Sequence, residues 1–228
     1  RWNPNQAILS GDTMLLQAFE RIAACEVDKV KEVFATFLQT TYEIGEGQQL
    51  DVEFETRNDV TEDEYIEMIR LKTSVLLACA VKIGAILAGA SVEDQHNLYK
   101  FGEQIGLAFQ LQDDLLDVYG DPKVFGKNIG GDITSNKKTY MLINAVNRAD
   151  EAQRQELMGW INAETFDRDE KVKAVTALYD QIGIRQLCEQ KMEACYAEAQ
   201  RYLAQVSVAE DRKAELKAYA AAMMKRQS

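Results

Sequence analysis

"FQLQDDLLDVYG", residues Phe109 to Gly120, sets three carboxylates, Asp113, Asp114 and Asp117, inside a run that otherwise has the spacing of a core helix. At about 100° per residue, Asp113 and Asp117 share one face about 40° apart, with Gln110 between them and Asp114 at the edge. Leu111, Leu115 and Val118 cluster on the opposite side, so the helix has an apolar stripe that excludes the acids. A solvated acidic face is the commonest fate of such a run, but two features argue for a ligand. Like charges one turn apart repel, and no Lys or Arg occurs from Phe101 to Pro122 to offset them. Gly102 and Gly106, upstream on the acid face, suggest the wall of a cavity. Oxygen ligands without His or Cys select a hard cation, and Mg2+ typically takes one or two carboxylates and completes its shell with water and substrate phosphates.

Around this stretch the periodicity is helical almost throughout, and caps rather than linkers mark the boundaries. The pattern predicts an all-helical single domain over residues 1–228. Helices are expected over 4–24, 26–56 with a break around Gly45 to Gly47, 62–88, 92–119, 138–163, 167–182, 184–205 and 208–225. Thr61 with Glu64 and Ser207 with Glu210 read as capping boxes, and Ser91 with Asp94 as a related start. Only two prolines interrupt 228 residues in which Ala, Leu, Glu, Lys and Gln dominate, which favours helix over sheet.

The formal charge of −11 argues against nucleic acid or an anionic membrane as partner, so a phosphate-bearing ligand must meet locally placed cations or metal. Cys25, Cys79, Cys188 and Cys195 form no C-x-x-C pair and read as reduced core thiols of a cytoplasmic protein. His96, the one histidine, reads as a surface residue near a helix start. No apolar run reaches the roughly 18 residues of a transmembrane helix.

Between Gly120 and Lys138 the text changes to "GDPKVFGKNIGGDITSNKK", with four Gly, one Pro and four Lys and no helical period. Loops of that length are often functional. Lys127, Lys137 and Lys138 flank its glycines close to the acids, where they would neutralise phosphate oxygens. Lys72 falls by helical angle in the middle of an apolar stripe that includes Tyr65, Met68, Ile69, Leu76, Cys79 and Leu87. A cation there is expensive unless an anion meets it. A metal-bound phosphate would do so; an unidentified acid, or snorkelling to a cleft edge, are the alternatives.

"GQQLDVEFE", "RLKTSVLLACA", "FQLQDDLLDVYGD" and "GKNIGGDITSNKKT", in that order and spacing, resemble the trans-isoprenyl diphosphate synthases, and the resemblance extends over essentially the whole chain. It implies the isoprenoid synthase fold, an antiparallel helix bundle around a deep central cavity, usually homodimeric. It further implies Mg2+-dependent condensation of isopentenyl diphosphate with an allylic diphosphate. By that carry-over Asp113, Asp114 and Asp117 are metal ligands. Lys72, Lys127 and Lys137 contact the allylic diphosphate, and Gln48, Thr73 and Gln110 lie along the reacting carbons. Asp132 orients a lysine or a metal-bound water. The family's first aspartate-rich motif does not occur in these 228 residues, from which we expect an N-terminal portion to be missing and this chain alone to be inactive. Two competing readings are a terpene cyclase, disfavoured because DDLLD stands where cyclases carry a different motif, and a non-catalytic helical subunit.

Overall fold

The computed structural model describes residues 3–25, 27–121 and 129–224, and no strand occurs among them. α1 (Pro4–Ala23) opens on a capping box between Asn3 and Gln6. None of its residues is buried, and Phe19 holds it to the bundle by packing on Phe34 and Phe37 at centroid distances of 5.8 and 5.2 Å. α2 (Val30–Thr56) runs unbroken through Gly45 and Gly47, against the expected interruption. Gly47 serves packing instead: a Cβ there would lie 2.3 Å from the Lys72 backbone nitrogen.

α3 (Glu62–Ile69) starts at the expected Thr61–Glu64 capping box. It passes into a wide π-helical turn, Arg70–Ser74, before α4 (Val75–Leu87). That turn breaks the uniform 100° step on which the Lys72 stripe depends. Tyr65, Met68 and Ile69 before it are buried, whereas Leu76 and Leu87 beyond it are 50% and 44% exposed.

The 28-residue α5 (Val92–Tyr119), capped by Ser91, is the axis of the bundle. Its Gly102 faces Ala78 and its Gly106 faces Ser74, so α4 and its π turn run antiparallel to it at very close approach. Cβ atoms at these glycines would lie 2.7 Å from the Ala78 Cα and 2.4 Å from the Ser74 Cα. These glycines therefore seat one helix against another and do not wall a cavity, as the sequence had suggested.

After α5 come a short α6 (Gly131–Thr134), α7 (Tyr140–Arg148) and α8 (Glu151–Ile161), where one helix over 138–163 was expected. Ala149 leaves helical geometry and Asp150 caps α8 in a box with Gln153. α9 (Arg168–Ile182) ends at Gly183, whose φ of +81° suits glycine. α10 (Ile184–Gln205) then runs antiparallel to α5: the Cys188 thiol reaches the Leu111 carbonyl near one end, and Asp94 binds Ser207 at the other. Ser207 is thus no helix cap. Its backbone N–H and hydroxyl both donate to the Asp94 carboxylate, at 2.7 and 2.5 Å. A 3-10 turn, Glu210–Lys213, leads into α11 (Ala214–Met224).

The larger core joins α3, α5, α7, α9 and α10 around Tyr65, Leu111, Met141 and Leu178. A smaller one joins α5 to α10 and α11. Cys79, Cys188 and Cys195 are buried free thiols, and His96 is exposed. Among the described residues no helix is long and apolar enough to cross a membrane. A cleft of about 390 Å³ opens among α2, α4 and α5, lined by Thr36, Thr40, Glu43, Lys82 and Tyr99. The acidic motif begins 14 residues further along α5 than Tyr99, a rise of about 21 Å.

Candidate functional site

The π turn sets consecutive residues Lys72 and Thr73 against different neighbours. Lys72 Nζ meets Asp51 Oδ2 of α2 at 2.7 Å, the two side chains 20% and 27% exposed. Asp51 is the acid that the sequence left unidentified. It stands three residues after Gln48 within "GQQLDVEFE", so the helical spacing of that motif was the available signal. The Thr73 hydroxyl donates to Gln110 Oε1 at 3.2 Å, and Gln110 Nε2 donates to Asp114 Oδ1 at 3.3 Å. The π turn and α5 therefore deliver Thr73, Gln110 and Asp114 as one connected chain. Gln48 is exposed on α2, next to the Gly47 that packs on the Lys72 backbone.

The three aspartates divide their tasks. Asp114 is 1% exposed and accepts from the hydroxyl of Tyr65, itself 1% exposed. Burial, against the opposing pull of the Tyr65 hydrogen bond, raises the Asp114 carboxyl to about 7. Burial likewise holds the Tyr65 phenol well above its ordinary value. In the sequence Tyr65 is legible only as part of an apolar stripe, because periodicity registers its ring and not its hydroxyl.

Asp117 holds the loop: its carbonyl accepts from Gly130 N–H at 2.6 Å and its Oδ2 from Asp132 N–H at 2.9 Å. Asp113 is partly exposed on the same helix. From the loop, Asp132 Oδ1 lies 3.5 Å from Lys137 Nζ. Burial raises the Asp132 carboxyl, with Lys137 opposing and Asp117 and Asp113 adding to the rise. Burial lowers the Lys137 ammonium, but Asp132, Asp114 and Asp51 outweigh it and the net shift is upward. Lys138 turns to the Glu55 carbonyl at 3.5 Å. Lys127, expected at the diphosphate, lies outside the described residues.

Asp51, Asp113, Asp114, Asp117 and Asp132 thus gather around Lys72 and Lys137, five acids to two bases. The donor set is oxygen only and its surplus is negative, which fits a hard divalent cation. Asp113 and Asp117 are the partly exposed members suited to hold one, while Asp114 is engaged by Tyr65 and Gln110. Among the described residues no three acid, thiol or imidazole groups converge as a ready-made cage.

A polyprenyl synthetase family model matches residues 1–179. The short chain isoprenyl diphosphate synthase of Methanothermobacter thermautotrophicus is 42% identical over 174 residues, which are 76% of this chain and 52% of that protein. The chain spans about half the length of the curated relatives it matches. A crystal structure of a geranylgeranyl pyrophosphate synthase superposes with a TM-score of 0.93 at 38% identity, covering 100% of this chain and 70% of that one. A polyprenyl synthase from Caulobacter crescentus CB15, complexed with calcium and isoprenyl diphosphate, gives 0.86 at 26% identity over 100% of this chain and 68% of that one. Together with the acids on α5 and the lysines on the π turn and loop, these similarities establish that the chain belongs to the polyprenyl synthetase family and has the all-helical isoprenoid synthase fold.

Proposed function

We propose that this chain serves a magnesium-dependent prenyltransferase that condenses isopentenyl diphosphate with an allylic diphosphate, giving a longer trans-prenyl diphosphate and free diphosphate. The observation that carries this reading is the joining of Lys72, Gln110, the aspartate motif and Lys137 into one acid-rich cluster: the π turn packs antiparallel on α5, and Asp117 draws in the loop that carries Asp132 and Lys137. The names of the relatives, and the divalent cation and isoprenyl diphosphate bound to the Caulobacter protein, support it.

In this reading Asp113 and Asp117 would hold the cation, joined by Asp114 through the carboxylate that Tyr65 and Gln110 fix in place, and the cation would neutralise the diphosphate as a leaving group. Lys72, Lys127 and Lys137 meet the diphosphate oxygens. Asp132 keeps Lys137 extended toward them, as its 3.5 Å contact suggests. Thr73 and Gln110 present weakly nucleophilic oxygens, with Gln48, to the allylic cation formed as the C–O bond breaks; they stabilise it without capturing it. The chain carries one DDxxD motif, so turnover is best assayed both with this chain and with any longer protein that contains it. A homodimer and a reducing, cytoplasmic setting belong to the same proposal, the latter suited to free thiols such as Cys79 and Cys188.

The test is incubation with isopentenyl diphosphate, Mg2+ and dimethylallyl, geranyl or farnesyl diphosphate, with chromatography of the products. Longer allylic diphosphates are expected, and Lys72→Met should suppress them by about 100-fold. This chain alone is expected to be inactive, and a folded longer protein containing it that elongates none of the three defeats the reading. A non-catalytic subunit is the second reading, favoured by the turning of Asp114 toward Tyr65 and by the lack of a preformed cage among the described residues. It predicts no binding of magnesium diphosphate by this chain.

A further inference from the structure

Arg168, Lys171, Val172 and Val175 lie on one face of α9, and all four bear on the loop that carries Asp132 and Lys137. The Arg168 guanidinium donates to the Ile129 carbonyl. Lys171 Nζ donates to Asn136 Oδ1 at 2.7 Å. The Val172 methyls press on Gly130, where φ is +78° and a Cβ would come within 2.6 Å of Val172 Cγ2. Val175 closes on Ile133 and Asn136, leaving a void of only about 10 Å³.

Lys171 is the costly member of this face. It is 1% exposed, and among the described residues no acid pairs with it. Its ammonium has the Asn136 amide oxygen and the ring of Phe166, 4.1 Å from the centroid. An ammonium buried without an anion costs several kcal/mol, so an apolar side chain of similar volume would serve stability better. So costly a group at this position points to a task, and Asn136 shows which. Asn136 takes φ +53°, a left-handed conformation that few residues other than glycine adopt readily. Its amide is fixed at both ends, by Lys171 on Oδ1 and through Nδ2 to the Ile161 carbonyl at 2.9 Å. The turn made there brings Lys137 N–H to the Asp132 carbonyl at 3.0 Å and Lys137 Nζ to the Asp132 carboxylate.

We propose that Lys171 is a positioning residue which, by locking the Asn136 turn, sets Lys137 for the diphosphate. This rests on the functional reading above and adds to it a residue remote from the acids, on a different helix. The test is calorimetric titration of this chain with inorganic pyrophosphate in Mg2+, paired with hydrogen exchange of amides 131–139. Lys171→Met keeps the stem and removes the ammonium. It should weaken pyrophosphate binding by about 10-fold, the scale seen when groups that orient ligands are lost. Exchange in the loop should quicken while the thermal midpoint does not fall. Asn136→Gly, which keeps the left-handed turn and loses the amide, should weaken binding likewise, and it carries the test if Lys171→Met does not fold. Because Lys171 acts through Lys137, Lys171→Met added to Lys137→Met should cost no further affinity; a general loosening would instead add. Wild-type affinity in Lys171→Met and Asn136→Gly, or an additive cycle, overturns the positioning role and leaves the functional reading standing. If the wild-type chain takes up no pyrophosphate, the functional reading falls and this role falls with it.

Discussion

Asp114 shows how one carboxyl can belong to a recognised motif and also to the core. Its value of about 7 lies well above the unfolded value near 3.9, so the folded metal-free chain prefers the proton more strongly than the unfolded chain does. The sign follows: this group's contribution is best below about pH 4, worsens as pH rises toward 7, and is level above that. The full effect is at most about 4 kcal/mol. Urea unfolding of metal-free protein across that range should show the decline, and Asp114→Asn should flatten it. A decline unchanged in Asp114→Asn would assign the effect to other groups. The motif itself was legible from spacing alone, but its division of labour was not. Tyr65 and Asp51, the partners of Asp114 and Lys72, come from α3 and α2, 49 and 21 residues away from them in sequence. Periodicity ranks residues by face, not by partner.

At the scale of elements, caps were the best guide where the side chain had no competing partner. Thr61 and Ser91 cap as expected, whereas Ser207 is claimed by Asp94 from α5. The split between α7 and α8 has a signal in Asp150-x-x-Gln153, hidden inside an otherwise continuous helical pattern. Glycines misled for one reason: a sequence does not say whether a missing Cβ leaves room for a ligand or for another backbone. α2 offers a direct comparison. A Cβ added at Gly45 would meet nothing within 4 Å, whereas one at Gly47 would strike Lys72 N at 2.3 Å and Leu71 Cβ at 2.8 Å. Gly45→Ala should stabilise by about 0.5–1 kcal/mol through helix propensity. Gly47→Ala should destabilise by about 1–3 kcal/mol through overpacking and weaken pyrophosphate binding by displacing Lys72. Denaturant unfolding of both variants decides it, and equal effects would refute the packing assignment.

For the whole molecule, the antiparallel bundle was legible because nearly every long helix announces itself by period, but the relation of α1 to the rest was not. Ile8, Leu9, Met14 and Leu16 are 62%, 65%, 68% and 69% exposed, a large apolar display on a chain with net charge −11. Apolar attraction and charge repulsion oppose each other, so added salt separates them: self-association should strengthen as repulsion is screened. Sedimentation velocity at low and high salt should show this, and Leu9→Glu with Leu16→Glu should reduce it at both. Association that weakens with salt would place the contact on ionic groups instead. The wide turn at Arg70–Ser74 sets a further constraint, on chain length rather than on composition. Removing one of those five residues would let the backbone close into an ordinary α-helix, and because five residues of a wide turn advance about as far around the axis as four of an α-helix, everything downstream would keep roughly its present face. Val75, Ala78 and Cys79, now buried, would keep their seats, while Lys72 and Thr73 inside the turn would lose theirs. A one-residue deletion here should therefore leave the bundle folded, with a near-unchanged unfolding midpoint, yet weaken pyrophosphate binding, because the spare residue is the slack that lets two neighbours in sequence address two different helices.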